Sequence, residues 1–272
     1  MLEARTLLFH DVVPEGRWSE SGFVSADADL YKLSNHQFRR HLECLQSNIR
    51  GEFTTAASIL QGMASKKPCL LTFDDGGVSA TRIADMLEEF GWRGHFLVTA
   101  GRISTPGFLT PAQIRALHQR GHVIGGHSYS HPLLMAHCSY EQLCDEWERS
   151  SVILSHIVGS PIRVASVPGG HYSRAIAAAA AGAGIQLLFN SEPTTRTHTV
   201  DGCLVLGRFC VKQSHKPQWS AQIMSGSVAL RFKEAALWNS KKIVKNLLGD
   251  VWLESRKKIL EHRASKDRRR AA

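Results

Sequence analysis

Nowhere in the 272-residue chain do apolar residues run uninterrupted for the roughly 18 positions that a membrane helix requires. The start, Met-Leu-Glu-Ala-Arg-Thr-Leu-Leu-Phe-His-Asp, lacks a charged segment followed by an apolar stretch and a small-residue cleavage site, so no secretory signal is read there. Cysteine is sparse: Cys44, Cys69, Cys138, Cys144, Cys203 and Cys210 form no Cys-x-x-Cys pair, and most sit inside apolar runs. That excludes a disulfide framework and predicts buried free thiols. These absences make the cytoplasm the expected compartment. With 43% hydrophobic and 21% charged residues, the composition is that of a globular chain, neither disordered nor collagen-like.

Positive charge is abundant, with 33 Lys and Arg against 24 Asp and Glu. It is concentrated at one end. Residues 241–272 hold eleven basic and four acidic residues, a net of +7, which leaves +2 for residues 1–240. The body is therefore not a polyanion-binding surface by composition, and no nucleic-acid partner is expected. In the tail Ile243, Leu247, Leu248, Val251, Trp252, Ile259 and Leu260 are spread among Lys and Arg. That pattern fits a helix packed on the body with a solvated charged face. It also fits peripheral contact with an anionic membrane or another polyanion.

Hydrophobic patterning alternates between short apolar runs and helical spacing. Runs are read at Arg5–Val13, Pro68–Phe73, Gly94–Thr99, His122–Gly126, Arg163–Val167, Ile185–Asn190 and Cys203–Val211. Helices are read after Ser34, over Thr54–Gly62, Val78–Phe90, Thr110–Arg120, Tyr140–Ile157 and Ser173–Ala183, and again beyond Ala221; the stretch from Pro14 to about Tyr31 reads as loop. Strands that alternate with helices of about a dozen residues predict a mainly parallel α/β sheet. About seven such units predict a closed or nearly closed (β/α) barrel. The expected organisation is a barrel over residues 1–215 and a C-terminal helical, basic extension over 216–272.

In parallel α/β folds, ligands bind beyond the carboxyl ends of the strands. Four predicted strand ends carry polar clusters: His10-Asp11, Asp74-Asp75, His127 with His131, and Asn190-Ser191-Glu192. An aspartate pair after a strand also suits a helix N-terminus, and two histidines four apart also occur in ordinary loops. Taken together, two histidines and a carboxylate form a ligand set for a catalytic divalent ion, and a second carboxylate beside them stands where a general base is needed.

These residues resemble the polysaccharide deacetylase family, also called carbohydrate esterase family 4 or the NodB homology domain. Thr72-Phe73-Asp74-Asp75-Gly76 is similar to its first motif, and His127-Ser128-Tyr129-Ser130-His131 to its second. Pro168-Gly169-Gly170 falls where its third motif ends in a Pro-Gly turn. The resemblance spans about residues 5–211. It implies a distorted barrel and metal-dependent removal of acetyl groups, usually N-acetyl, from a sugar polymer. It further implies Asp75, His127 and His131 as metal ligands and Asp74 as base. Zinc is the implied ion, with cobalt, nickel and manganese also suited to such ligands.

Two family features are out of place. Ser166 stands where an arginine commonly orients the base, leaving Arg163, Arg174 or Arg208 to reach it. The late Leu-x-His motif that supplies the general acid is missing, because the last strand reads Leu204-Val205-Leu206-Gly207-Arg208-Phe209. A rearranged form of the family, with the acid on the first strand, fits Leu7-Leu8-Phe9-His10-Asp11; His10 is the acid so implied, with His171 and His215 in reserve. Substrate contacts are expected from Pro168, Gly169, Gly170, Tyr172, Glu192 and Arg208, and sugar stacking from Trp18, Tyr129 or Tyr172. The displaced arginine and acid are equally compatible with a second class, a carbohydrate-binding relative that keeps the metal site without turnover.

Overall fold

The computed structural model describes residues 2–49, 51 and 53–240, and statements of absence below concern these residues. The strands are β1 (Arg5–Phe9), β2 (Val12–Val13), β3 (Leu33–Ser34), β4 (Cys69–Phe73), β5 (His95–Val98), β6 (Val123–Gly126), β7 (Val164–Ser166), β8 (Leu187–Phe189), β9 (Thr197–Val200), β10 (Cys203–Leu206) and β11 (Phe209–Cys210). The helices are α1 (Ala26–Asp29), α2 (Asn35–Asn48), α3 (Ala56–Leu60), α4 (Ala80–Glu88), α5 (Pro111–Gln119), α6 (Tyr140–Val158), α7 (Arg174–Gly182) and α8 (Pro217–Ser225). Residues 228–240 are helical as well. No helix is long and apolar enough to cross a membrane. The apolar positions picked out in the basic tail, Ile243 to Leu260, lie outside the described residues.

Nine strands form one sheet in the order β11, β1, β4, β5, β6, β7, β8, β10, β9, and every pairing in it is parallel except β9 with β10. The two outer parallel strands, β10 and β11, are consecutive in sequence, with only Gly207 and Arg208 between them. Three Cα–Cα steps span at most about 11 Å, so the sheet must roll up until its ends meet. The run read from sequence as a single strand, Cys203–Val211, is thus one stave of a seven-stave barrel that changes partner midway. Its first half pairs with β8 and its second with β1, Leu7 opposite Phe209 and Leu8 opposite Cys210. Arg208 sits at the break.

Buried strands explain the apolar runs. Every residue of β4 is buried, as parallel strands covered on both faces require. The helices start where their caps dictate. Ser34, Thr110 and Ser139 each accept a hydrogen bond from the N3 backbone N–H, and the glutamine at N3 returns one, closing capping boxes on α2, α5 and α6. Strand β9 and the short elements β3 and α1 were not expected from the sequence, and the Arg5–Val13 run, read as one strand, is broken at His10-Asp11 into β1 and β2. The turn Asp201-Gly202, with φ of 48° and 87°, closes the β9–β10 hairpin, and Asp-Gly is the residue pair that such a turn favours. α8 packs on the outside through α2: His41 Nδ1 lies 2.8 Å from Ser220 Oγ, and its Nε2 lies 3.2 Å from the His215 carbonyl.

Two buried histidines tie stability to pH. His95 bridges β4 to α3, since its Nε2 accepts from the Ala56 N–H at 2.8 Å while Nδ1 donates to the Leu71 carbonyl at 2.7 Å. Burial lowers the pKa of His95, and likewise of His41, to about 4. The unfolded chain takes up these protons near pH 6.5 and the folded chain does not, so stability falls as pH drops from about 6.5 towards 4. Each histidine is expected to remove on the order of 2 kcal/mol between pH 7 and pH 5. Urea titrations of the wild type and of His95→Gln check this: the wild-type midpoint should fall with pH and the variant's should fall less. A wild-type midpoint independent of pH would contradict it.

Candidate active site

The site is assembled at the carboxyl ends of β4, β6 and β7. β4 delivers Asp74 and Asp75 into a sharp turn, where Asp75 takes φ of 78° and Gly76 φ of 79°. Glycine is needed there by contact as well: a Cβ on Gly77 would lie 2.0 Å from Asp11 Oδ1. β6 delivers His127, and the following loop delivers His131. Five non-glycine residues have positive φ among the described residues, and Asp75, Ser128 and His131 are three of them. Backbone held in such conformations is concentrated where geometry serves a ligand.

Three ligand atoms, one each from Asp75, His127 and His131, lie within 4.8 Å of one another. Asp75 Oδ1 is 3.5 Å from His127 Nε2 and 3.6 Å from His131 Nε2. Donors held about 2.1 Å from one tetrahedral ion are themselves about 3.4 Å apart, so the spacing fits a divalent metal. The tautomer fits too. His127 Nδ1 lies 2.6 Å from Ser166 Oγ and 3.1 Å from the Ser166 carbonyl, which places its proton there and leaves the Nε2 lone pair facing Asp75. Burial lowers the pKa of His131 to about 4, with the neighbouring His127 acting in the same direction, which also keeps a lone pair available. Burial is overcome at both Asp75 and His127: the bond from His127 and the charges of His10 and His131 hold the Asp75 carboxyl below its usual range, and the charge of Asp74 with the bond to Asp75 holds the His127 imidazole above its own.

Asp74 is fully enclosed and gripped by an arginine. Arg208 Nη1 donates to Oδ1 at 2.7 Å and Nη2 to Oδ2 at 2.8 Å, while Ser166 Oγ donates to Oδ1 at 3.1 Å. Burial raises the Asp74 pKa, and the charges of Arg208, His127 and His10 more than reverse it, so the carboxyl stays ionised at neutral pH. Oδ2 is 3.8 Å from His127 Nε2, which places it beside the three-residue cluster. Arg208 itself is 0% exposed and its other donors are used: Nε bonds the Asn190 carbonyl at 2.9 Å, and its backbone N–H bonds the Glu192 carbonyl at 2.9 Å. Of the three candidate arginines only Arg208 is in place. Arg163 reaches Gln186 and Arg174 pairs with Asp201, both at the surface.

The remaining expected residues fall as follows. His10, directly after β1, lines a small cavity of about 10 Å³ together with Asp74, and its charge acts on both Asp74 and Asp75. Its ring lies 5.2 Å from that of Tyr31, and Nδ1 is shielded from solvent with no hydrogen-bond partner among the described residues. Beside it Asp11 accepts from Ser21 and Ser79 at 2.5 and 2.8 Å, anchoring the loop to the start of α4. His215 is not part of the site: it stacks on Trp219 at 4.1 Å behind α2. His171 follows the Pro168–Gly170 turn, and Tyr172 Oη lies 2.9 Å from His198 Nε2. Tyr129 carries the Arg149 guanidinium 3.6 Å over its ring, so packing rather than sugar stacking occupies that face. Trp18 offers its carbonyl to Lys32.

Several supporting residues were not singled out from sequence. Phe23 packs on the His131 ring at 4.7 Å. Glu146 on α6 accepts from the backbone N–H groups of Tyr129 and Ser130 at 2.9 and 2.8 Å and from Ser130 Oγ at 2.5 Å. Ser128 Oγ accepts from the His131 N–H at 3.0 Å. These bonds fold the five-residue loop so that both histidines converge. Glu146→Ala is therefore expected to weaken divalent-metal affinity 10- to 100-fold, as loss of outer-shell support typically does, while the barrel still folds. Competition with a chromophoric chelator measures this, and unchanged affinity would contradict it.

The chain is thus an α/β barrel with a His-His-Asp cluster that could hold a metal ion, and a second, arginine-gripped aspartate, at the carboxyl edge of its rolled parallel sheet. A family model described as polysaccharide deacetylase matches residues 61–188, the segment that carries the aspartate pair and both histidines. Among solved structures, the Streptococcus pyogenes deacetylase PplD, in complex with acetate, aligns with a TM-score of 0.68 at 18% identity, over 82% of this chain and 98% of that one. IcaB from Ammonifex degensii aligns at 0.64 and 22% identity, over 82% and 98%. At such identities the likeness concerns the fold. A Bacillus subtilis protein, YxkH, proposed by its name to be a polysaccharide deacetylase, is 25% identical over 60% of each chain. An uncharacterized 30.6 kDa protein of Geobacillus stearothermophilus is 34% identical over 73 residues, 26% of each chain. The chain thus matches between about a quarter and three-fifths of the length of these two relatives.

Proposed function

We propose that the protein removes acetyl groups, in the first place N-acetyl groups, from a carbohydrate polymer or oligomer, using a divalent ion held by Asp75, His127 and His131. The observation that carries this reading is the placement of Asp74: Arg208 fixes both carboxylate oxygens, and Oδ2 lies 3.8 Å from His127 Nε2, one of the three clustered ligand atoms. The ion, zinc by its match to two imidazoles and a carboxylate and with cobalt, nickel or manganese also suited, would supply a Lewis acid for the acetyl carbonyl and an acidified water.

The chain's own groups do the rest. Asp74, kept ionised, takes the water's proton at Oδ2. Ser166 couples base and ligand, since its Oγ accepts from His127 and donates to Asp74. As the acetyl C–N bond breaks and the new C–O bond forms, the leaving nitrogen needs a proton, and His10, next to Asp74 at the same strand edge, is the donor we assign. The Pro168-Gly169-Gly170 turn, Tyr172 and Glu192 form the rim that meets the sugar. The non-catalytic alternative drew its support from the missing arginine and the displaced acid. Arg208 and His10 supply both functions from other strands, which favours turnover.

The reading is tested by enzymatic detection of acetate after incubating zinc-loaded protein with N-acetylglucosamine oligomers and, separately, with acetylated xylan. Release from the amide-linked substrate is expected. Release from neither would overturn the proposal, and release from xylan alone would replace N-deacetylation by O-deacetylation.

A further inference from the structure

A cavity of about 320 Å³ opens between the loop that follows β8 and the helix formed by residues 228–240. Its walls include Asn190, Glu192, Arg196, His198, Trp238 and Asn239, all beyond the segment that matches the family model. The Trp238 ring closes it against the Pro168–Gly170 turn, for a Cβ on Gly170 would lie 2.9 Å from the indole and 3.2 Å from Ser191. Trp238 Nε1 is shielded from solvent and finds no acceptor among the described residues.

The cavity shares with the reaction centre the peptide groups that position Arg208. Asn190 and Glu192 line it and also accept from Arg208, and Gly207, the residue before Arg208, forms part of its wall. His198 joins it to Tyr172. It therefore stands one loop away from Asp74, beside the same turn.

The chemistry of the wall selects its occupant. Indole and proline supply flat apolar faces, while two amides, a carboxylate and a guanidinium supply donors and acceptors in near balance of charge. A sugar ring, with apolar C–H faces and an edge of hydroxyls that both donate and accept, matches that set; a phosphate or a purely apolar ligand does not. The volume lies at the low end of small-molecule sites, the scale of a single residue rather than a length of chain.

We propose that this cavity is a subsite for the sugar residue next to the acetylated one, so that the protein recognises an oligomer and not a monosaccharide. The inference rests on the deacetylase reading of the neighbouring site. Its test is equilibrium binding, which does not depend on acetate release. Asp74→Asn protein, loaded with zinc, is titrated calorimetrically with N-acetylglucosamine and with its β-1,4- and β-1,6-linked trimers. At least one trimer should bind tenfold or more tightly than the monomer. Trp238→Ala, and independently Ala235→Trp, which fills the cavity from the helix without removing a contact, should each bring that ratio to within about twofold. Thermal melts confirm that each variant is folded.

The subsite is overturned if neither trimer exceeds the monomer, or if the ratio survives Ala235→Trp. A chain-length ratio that behaves as expected, in a protein that releases acetate from nothing, would uphold the subsite and overturn the catalytic reading.

Discussion

Arg208→Met is expected to abolish most acetate release and to lower stability by about 3–5 kcal/mol, the usual cost of leaving one member of a buried ion pair without its partner. Both ions are enclosed, Arg208 at 0% and Asp74 at 5% exposure, so water cannot replace the guanidinium. Four other contacts depend on the same side chain or its backbone: Thr72 Oγ1, the Asn190 and Glu192 carbonyls, and the face of Phe189. Without the fork, Asp74 is pushed by burial towards its protonated form, which cannot accept a proton. Arg208→Lys should recover part of the stability but little of the rate, because one ammonium cannot hold two carboxylate oxygens in a plane. Denaturant midpoints and acetate-release rates of the two variants decide the matter. Wild-type activity in Arg208→Met would remove Arg208 from the account.

Asp74→Asn is the second large effect. The amide has the size of the carboxylate but cannot take the proton, so kcat should fall by about 10²–10⁴, the range that a positioned base contributes. Zinc content should be unchanged, because the three convergent atoms come from Asp75, His127 and His131. Fold stability should fall by an amount comparable to that in Arg208→Met, since the amide leaves the buried guanidinium without its counter-charge. Metal analysis alongside kinetics distinguishes this from Asp75→Asn, for which metal and activity are expected to disappear together. A variant at position 74 that turned over within tenfold of the wild type would place the base elsewhere.

The residues of the Asp75-His127-His131 cluster were legible because they stand at or just beyond the ends of apolar strands, each within a few positions of a second polar residue. Asp74-Asp75 and His127 with His131 need only that local pattern. The barrel was legible for the same reason, since buried strands of four or five residues and well-capped helices announce themselves without tertiary information. Arg208 was recognised only as one of three candidates. Its partner is 134 positions away and its neighbours look like a continuing strand. The signal that was present is a glycine followed by a charged residue inside an apolar run: glycine weakens a strand, and an arginine buried there requires a counter-ion.

The Asp201-Gly202 turn likewise marked a hairpin, and without β9 the wall bearing His198 could not be seen. Trp238 is different. On a helix its spacing says only that one face packs, and nothing local tells that the face meets Gly170 and a cavity. The loop support from Glu146 is also invisible in sequence, because a glutamate in the second turn of an amphipathic helix reads as solvated surface.

The central claim is that a divalent ion on Asp75, His127 and His131 and the base Asp74 act together on an acetylated sugar. The most direct measurement is acetate release from N-acetylglucosamine oligomers before chelation, after exhaustive dialysis against chelator, and after return of one equivalent of zinc or cobalt. The expected result is activity lost on dialysis and restored at one ion per chain in the wild type, with no restoration in His127→Ala. Acetate release that continues undiminished in the metal-stripped protein would contradict the claim.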